Sequence, residues 1–233
     1  MINFNNTLVK SAAVILVSSS FAMSAQASSS GGGCSMSRVS GISSTFYVPS
    51  GGPGTYNILG WGNGTGGTSS TYSGLLEAVA KDCILVAAAN TANSGTGSEV
   101  QAAVNDAKSR YASKVGSNPK VCTSGHSQGG GGSFNAANRL GASVAKCVIG
   151  VQPDTVYTTS IYRPVASTVD VACIFSTADV LAPALPFNSL NCRANSTRYT
   201  ERLTSGTHFT VTYGSGGAPG DAMRSFARQW LGK

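Results

Sequence analysis

The chain has few charged residues and very few histidines, and each shortage excludes a class of function. Of its 233 residues, 11% are charged and only 2 are histidine. The 16 lysines and arginines are scattered and form no basic run, so no nucleic-acid partner is expected. Two histidines cannot build a three-histidine metal site, and no cysteine stands in a C-x-x-C pair, so no metal site is predicted. The apolar content of 41% argues against disorder.

A membrane-spanning stretch of about 20 apolar residues is also missing. The N-terminal part instead has one cation at Lys10, a short apolar run over 12–17 and the small residues Ala25-Gln26-Ala27. This order is typical of a secretory signal peptide. We therefore predict a signal peptide over 1–27, cleaved near Ala27, and a single domain over 28–233 that is secreted, periplasmic or extracellular, with no membrane anchor.

Short apolar runs alternate with helix-like stretches along the rest of the chain. The runs are apolar on both faces, as in a covered parallel sheet. These predicted strands are 56–61, 83–88, 120–124, 147–151 and 169–175, and a further strand is predicted at 198–203. The predicted helices are 72–81, 98–113, 133–140 and 221–231, and glycine-rich loops are predicted at 62–70 and 214–220. This alternation predicts an α/β fold with a mostly parallel sheet flanked by helices.

The strongest motif is Gly125-His126-Ser127-Gln128-Gly129, a G-x-S-x-G sequence between a predicted strand and a predicted helix. This is the context of a nucleophile elbow, in which a sharp turn exposes the serine Oγ. The flanking glycines remove Cβ atoms where the chain turns. Ser127 is therefore the predicted catalytic nucleophile.

A serine needs a base to take its proton, and the base needs a group that fixes its tautomer. His208 is the predicted base, because it lies in a small-residue loop after the strand 198–203. The other histidine, His126, is adjacent to Ser127, and its side chain is expected to pack in the elbow and point away from Oγ.

Four acidic residues lie between the nucleophile and the base in the chain: Asp154, Asp170, Asp179 and Glu201. Asp179 follows a predicted strand, at the sheet edge where such folds hold their sites, and it is the predicted acid. Asp154 also follows a strand and remains the alternative. Asp170 begins a strand at the opposite edge, and Glu201 lies within a strand, where a solvated side chain is expected.

A tetrahedral oxyanion needs two N–H donors. One is the backbone of Gln128, directly after the nucleophile. The other is expected in the loop Gly62-Asn63-Gly64-Thr65-Gly66-Gly67, whose four glycines let the backbone approach a substrate. A phosphate-binding loop is disfavoured, because no Gly-Lys-Ser/Thr follows.

These segments resemble the cutinase-like polyester hydrolases and lipases of bacteria, within the α/β-hydrolase superfamily, from roughly Phe46 to the C-terminus. The resemblance is carried by the elbow motif with the three glycines after it and by Ala178-Asp179-Val180-Leu181-Ala182-Pro183, Gly206-Thr207-His208-Phe209 and Gly64-Thr65-Gly66-Gly67. It implies an α/β-hydrolase fold and ester hydrolysis by Ser127, Asp179 and His208 without a cofactor. It also implies oxyanion N–H groups on Thr65 and Gln128 and a substrate-lining Leu181.

The chain departs from this family at three positions. The family usually has an aromatic residue or methionine at the positions of Thr65 and Gln128, and often a tryptophan after the proline of Gln152-Pro153-Asp154. Backbone donors survive such changes, but the aromatic clamp for a flat acyl group is missing from its usual positions. Asp154 is predicted to border the substrate.

The six cysteines all lie beyond the predicted signal peptide, and an even number in an exported chain favours disulfides. Cys122 and Cys147 each lie five residues before the end of a strand unit, at Ser127 and Gln152, so they sit at a similar level and could be bridged. The pair Cys173–Cys192 would close a loop around the predicted acid, and Cys34–Cys83 remains by elimination.

Residues 152–168, between two predicted strands, are too few for a lid domain. An open, mostly uncharged cleft suits bulky or polymeric esters, such as a polyester, cutin-like or lipid substrate reached at a surface. We therefore expect a monomeric serine esterase. The alternatives are a carbohydrate-ester or feruloyl esterase with the same triad, a peptidase, and a catalytically silent secreted binding protein on the same fold.

Overall fold

Eight strands and six α-helices lie in the part of the chain that the computed structural model describes, residues 33–194 and 197–232. The strands are β1 (Ser35–Ser40), β2 (Ser44–Ser50), β3 (Ile58–Gly62), β4 (Leu85–Ala89), β5 (Val121–His126), β6 (Ala145–Val151), β7 (Asp170–Ser176) and β8 (Tyr199–Thr204). The helices are α1 (Ser73–Lys81), α2 (Ser98–Arg110), α3 (Ala112–Val115), α4 (Gln128–Leu140), α5 (Ser189–Arg193) and α6 (Gly217–Leu231). The predicted signal peptide, residues 1–27, lies outside the described residues.

The strands form one sheet in the order β1-β2-β4-β3-β5-β6-β7-β8. Strands β3 to β8 pair in parallel, whereas β2 runs antiparallel to both β1 and β4. The predicted α/β fold with a mostly parallel sheet is confirmed. Because the carboxyl ends of parallel strands meet at one edge, the loops after β3, β5, β7 and β8 all emerge at the same edge of the sheet.

Helices cover both faces of the sheet, which explains why its central strands are apolar at successive positions. Leu59 of β3 belongs to a buried cluster with Leu75 of α1 and Met223 of α6. The preceding residue, Ile58, belongs to a second cluster with Val104 of α2, and α4 packs beside α2. Successive side chains of a strand point to opposite faces. One strand therefore supplies apolar side chains to both helical layers.

The structure corrects several predicted boundaries. Helix α4 begins at Gln128, five residues before the predicted helix 133–140, although glycine disfavours a helix by propensity. Its glycines pack so closely against neighbouring backbone that side chains would not fit. Helix α6 begins at Gly217, inside the stretch 214–220 that is predicted as a loop. Strands β1 and β2 and helix α5 are not among the predicted elements.

Three disulfides form in the pairs predicted from the sequence: Cys34–Cys83, Cys122–Cys147 and Cys173–Cys192, with Cα–Cα distances of 5.2, 4.5 and 6.4 Å. Cys122 and Cys147 are direct register partners across β5 and β6. Disulfides persist in oxidising compartments, so the three pairs fit an exported protein. In the described ranges, no helix has both the length and the apolar character needed to cross a membrane.

Candidate active site

Ser127 is the single residue between β5 and α4. Its backbone has φ 53° and ψ −120°, a conformation that is strained for a residue with a side chain. The turn is possible because the residues two positions before and after Ser127 are glycines. A Cβ on Gly125 would overlap the Gly129 carbonyl, and a Cβ on Gly129 would overlap the Gly62 carbonyl. The local geometry is therefore the sharp strand-to-helix turn that the G-x-S-x-G motif predicts.

The side chains of Ser127, His208 and Asp179 lie in one line of hydrogen bonds. His208 Nε2 is 2.9 Å from Ser127 Oγ, and His208 Nδ1 is 2.8 Å from Asp179 Oδ2. Asp179 follows β7 and His208 follows β8, so both side chains come from loops at the edge of the sheet where the elbow lies. With Nδ1–H donated to the carboxylate, Nε2 can accept the serine proton. The structure thus brings together the three residues predicted as nucleophile, base and acid.

The Asp179 carboxylate is fixed on both of its oxygens. Burial alone would raise the pKa of Asp179, but hydrogen bonds from His208 and from the backbone of Ala182 and Leu181 outweigh burial and lower the pKa. The N–H groups of Leu181 and Ala182 each donate to Oδ1 at 2.9 Å. Asp179 and His208 are both buried. The carboxyl is therefore ionised at neutral pH and holds the His208 ring in one orientation.

Asp154, the alternative acid, has other partners. Its two oxygens accept hydrogen bonds from the N–H groups of residues 156–158 and from the Thr158 hydroxyl. Burial would raise the pKa of Asp154, but these hydrogen bonds, with that of the Thr158 hydroxyl first among them, lower it. Neither oxygen is bonded to His208 in the described part of the chain. Asp154 therefore organises the loop after β6.

The remaining two acidic candidates lie away from the base. Asp170 stands at the start of β7, 3.7 Å from Arg198. Glu201 lies in β8 and accepts hydrogen bonds from the hydroxyls of Ser189 and Tyr199. Asp170 is thus at the amino end of its strand, as predicted. Glu201 is exposed in β8, as expected of a solvated side chain, and the two hydroxyls bond its carboxylate there.

The two predicted oxyanion donors, Thr65 and Gln128, have backbone N–H groups without an acceptor in the described ranges. Gln128 opens α4, and the first N–H groups of a helix have no partner within it. In the loop after β3, the N–H groups around Thr65 are all used. The Asn63 N–H donates to Ser94 Oγ, and the Gly64 N–H donates to Tyr72 Oη. The Gly66 N–H donates to the Ala92 carbonyl, and the Gly67 N–H donates to the Gly64 carbonyl. The N–H of Thr65 is the one left over.

A cleft of about 520 Å³ opens beside Ser127 and His208. The predicted substrate residues Leu181 and Asp154 both line it. The other lining residues are Gly64, Thr65, Gly66, Gly67, Thr71, Tyr72, His126, Tyr157, Thr158, Phe209 and Thr212. Among the described residues that line the cleft, none is lysine, arginine or glutamate. The connection from β6 to β7, residues 152–169, has neither helix nor strand, so it forms no lid domain over the cleft.

Two exposed aromatic residues of the cleft are missed by the sequence reasoning, as is the buried Tyr72. Tyr157 and Phe209 line it and are 76% and 52% exposed, beside the half-exposed Leu181. Phe209 could have been found from its position next to the base. Tyr157 has no such signal, because it reaches the cleft only through the loop that Asp154 organises. The cleft thus presents apolar and aromatic surface next to the nucleophile.

His126 is buried beside the elbow, and both of its ring nitrogens are hydrogen-bonded. Nε2 is 2.9 Å from the His208 carbonyl, and Nδ1 is 2.9 Å from the Tyr72 hydroxyl. Because a carbonyl can only accept, Nε2 carries the proton and Nδ1 accepts the proton of Tyr72. Burial, followed by the nearby His208, lowers the pKa of His126 to about 3, and burial raises the pKa of Tyr72 to about 12. Both side chains are therefore neutral near pH 7.

The neutral, buried His126 predicts how stability depends on pH. Its pKa is about 6.5 in an unfolded chain and about 3 in the folded protein. Between these values the unfolded chain binds a proton that the folded protein does not, so the free energy of unfolding falls as the pH falls. Between pH 7 and 4.5 the free energy of unfolding should fall by about 2 kcal/mol more in the wild type than in His126→Gln. Urea unfolding at a series of pH values measures this difference.

The comparison isolates His126, because the groups that face its ring are the same in both proteins: Tyr72, Gln152, Asp179 and His208. The lowered pKa of Asp179 removes stability only at a pH below the ordinary range of aspartate, about 3.9. Parallel curves for wild type and His126→Gln between pH 7 and 4.5 would show that His126 is not held neutral.

Among the described residues, no group of three His, Cys, Asp or Glu side chains is placed to hold a metal ion. A scan of the chain against protein-family models finds no match, and a search of curated proteins finds none either. Any function must therefore be inferred from the geometry of the site itself.

Proposed function

We propose that the protein is a secreted serine esterase of the α/β-hydrolase fold, which hydrolyses carboxylic esters through an acyl-enzyme. The observation that carries the proposal is the unbroken line of hydrogen bonds from Ser127 Oγ through His208 to Asp179. It starts at a serine held in a strained turn at the mouth of a cleft. Nucleophile, base and orienting acid are the parts that serine hydrolysis requires.

His208 moves the proton in each half of the proposed reaction. As Ser127 Oγ attacks the ester carbonyl carbon, His208 Nε2 takes its proton. The imidazolium then gives that proton to the leaving alcohol as the C–O bond breaks, which leaves the acyl-enzyme. In the second half, Nε2 deprotonates a water that attacks the acyl carbon, and Ser127 regains the proton when it leaves. Asp179 stabilises the imidazolium in both halves.

The N–H groups of Thr65 and Gln128 would bind the oxyanion of the tetrahedral intermediates. Both lack an acceptor among the described residues and both residues belong to segments that flank Ser127. A preorganised donor of this kind contributes about 3 kcal/mol to transition-state stabilisation. Because these donors are backbone groups, the unusual side chains at positions 65 and 128 do not weaken the proposal.

The cleft favours a neutral ester with an apolar acyl or alcohol part. Leu181, Tyr157 and Phe209 supply exposed apolar surface, and no cation among the described lining residues could clamp a charged substrate. The loop over 152–169 leaves the cleft open, which suits bulky or polymeric esters. Three disulfides support the proposal that the esterase acts after export.

A fluorophosphonate probe tests the proposed nucleophile directly. We expect one covalent adduct, located by mass spectrometry on Ser127, and no adduct in Ser127→Ala. The matched control is Ser124→Ala, which removes a buried hydroxyl from β5, the strand that leads to Ser127; Ser124 Oγ donates to the Ile149 carbonyl at 2.7 Å. Labelling that persists in Ser127→Ala, or that is absent in the wild type, would overturn the proposal.

A panel of esters then separates the possible substrates. Rates on short p-nitrophenyl esters, polyester films and acetylated xylan should be compared under one condition. Hydrolysis of the films would support a polymeric substrate. Selective hydrolysis of acetylated xylan would instead favour a carbohydrate esterase with the same three residues. A protein that neither hydrolyses these esters nor reacts with the probe would be a catalytically silent binding protein.

A further inference from the structure

The loop that carries His208 is held through three consecutive backbone carbonyls, those of Gly206, Thr207 and His208. In that order, the donors are the Ala178 N–H at 3.0 Å, Gln152 Nε2 at 2.7 Å and His126 Nε2 at 2.9 Å. The first donor lies next to the acid Asp179, and the third lies next to the nucleophile. Two of the donors are buried side chains that the proposed reaction does not use. Hydrogen bonds from the loop that carries Asp179 and from the turn at Ser127 therefore fix the position of the base.

The same His126 ring is connected to the loop that carries Thr65. The Tyr72 hydroxyl donates to His126 Nδ1 and accepts the Gly64 N–H at 3.0 Å. The Gly64 carbonyl accepts the Gly67 N–H at 2.9 Å. The Gly64 carbonyl and the Thr65 N–H belong to one planar peptide unit, so fixing the carbonyl sets the direction of that N–H. Tyr72 holds the peptide unit before Gly64 through the Gly64 N–H, and the Gly67 N–H holds the unit after it, which contains the Thr65 N–H. The Tyr72 hydroxyl therefore fixes one of the two peptide units that meet at Gly64.

The packing leaves little freedom in this chain of contacts. A Cβ built on Gly64 would lie 2.9 Å from the Tyr72 hydroxyl, 3.0 Å from His126 Nδ1 and 3.3 Å from the Ser127 Cβ. Each donor has one acceptor, and one tautomer of a neutral His126 satisfies the whole chain. Hydrogen bonds in such a buried series strengthen one another, and a missing member leaves its neighbours unsatisfied.

We propose that His126 and Tyr72 are positioning residues that join the loop of the base His208 to the loop of the oxyanion donor Thr65. The inference rests on the proposed esterase function and adds a role for the residue between the first glycine and the serine of the G-x-S-x-G motif. The series runs from the Gly64 N–H through Tyr72 and His126 to the His208 carbonyl. It fixes the proton acceptor, His208, and one oxyanion donor, the Thr65 N–H, relative to each other around Ser127.

Tyr72→Phe breaks the series with the smallest change in shape. We expect kcat on a short p-nitrophenyl ester to fall about 10- to 100-fold, because small misplacements of reacting groups have effects of this size. KM should stay within about twofold of the wild-type value, because substrate contacts are retained. The rates should be normalised to the number of sites that react with the fluorophosphonate probe, so that misfolded protein does not count.

His126 is tested by two substitutions. His126→Phe removes both hydrogen bonds and should lower kcat at least as much as Tyr72→Phe. His126→Gln retains an N–H donor for the His208 carbonyl and should recover part of the loss. The double variant Tyr72→Phe/His126→Phe should be no slower than His126→Phe, because residues that act as one series do not have additive effects.

Tyr162→Phe is the matched control. It also removes a hydrogen-bonded tyrosine hydroxyl, which donates to the Asn191 carbonyl at 2.6 Å, but Tyr162 forms no hydrogen bond with the series. A merely structural role predicts that Tyr72→Phe and Tyr162→Phe lower the unfolding free energy alike and leave kcat per labelled site unchanged. That result, in a wild type that is labelled and active, would overturn this inference and leave the proposed function intact.

An NMR measurement tests the series without any turnover. The ¹⁵N shifts of His126 should show a neutral ring with the proton on Nε2 from pH 7 down to about pH 4, in accordance with its pKa of about 3. A proton on Nδ1, or titration near pH 6.5, would overturn the inference. A wild type that the probe fails to label would remove the proposed function and this inference together.

Discussion

Replacing His208 by alanine is expected to lower kcat for ester hydrolysis on the order of 10⁶-fold, which is the loss seen when a serine triad is deprived of its base. His208 Nε2 lies 2.9 Å from Ser127 Oγ and is the one basic nitrogen at that hydroxyl in the described part of the chain. Without it the serine proton has no acceptor, and the leaving alcohol has no donor. Steady-state rates on a p-nitrophenyl ester would measure the loss.

Two further measurements show whether the loss is that of a base. Added imidazole should restore a part of the activity of His208→Ala, because the removed ring leaves space beside the cleft. The double variant Ser127→Ala/His208→Ala should be no slower than either single variant, because the two residues act as a unit. If the fold-losses of the two single variants instead multiplied in the double variant, His208 and Ser127 would act independently. That result would refute the proposed mechanism.

The proximity of Ser127, Asp179 and His208 could be predicted, because each residue has a recognisable local sequence pattern. Ser127 stands in a motif between a strand and a helix, His208 is one of only two histidines, and Asp179 lies in the loop after an apolar run. The five parallel strands β3 to β7 could be found for a related reason. A strand covered on both faces needs apolar side chains at successive positions, and such runs are recognisable without knowledge of the partners.

The parts that could not be predicted depend on distant neighbours. Strand β1 is polar and largely exposed, and β2 contains Pro49, which is disfavoured inside a sheet, so neither has the pattern of a covered strand. The contacts of His126 join it to residues 54 positions before it and 82 positions after it. The residues near His126 in the sequence do not show whether its ring is hydrogen-bonded to distant loops or only packs in the elbow.

Replacing Asp179 by asparagine is expected to lower kcat on the order of 10⁴-fold with little change in KM. The carboxylate accepts the His208 Nδ1–H at 2.8 Å, whereas an asparagine amide would present N–H groups to the same nitrogen. The ring would then adopt the tautomer with its proton on Nε2, which cannot accept the serine proton. The lowered pKa of Asp179 keeps the wild-type carboxylate ionised, so the loss should persist at every pH above about 5.

Asp154→Asn is the matched control, because Asp154 is also a buried carboxylate that follows a strand and is the predicted alternative to Asp179. Its oxygens hold residues 156–158, so the change should loosen the side of the cleft formed by Tyr157 and Thr158. We expect a raised KM and a lower unfolding free energy, with kcat within about tenfold of wild type. If Asp154→Asn instead caused the 10⁴-fold loss and Asp179→Asn did not, the acid of the proposed triad would be Asp154. The geometry argues against that outcome, since an aspartate whose two oxygens are occupied by a loop has no lone pair aimed at the base.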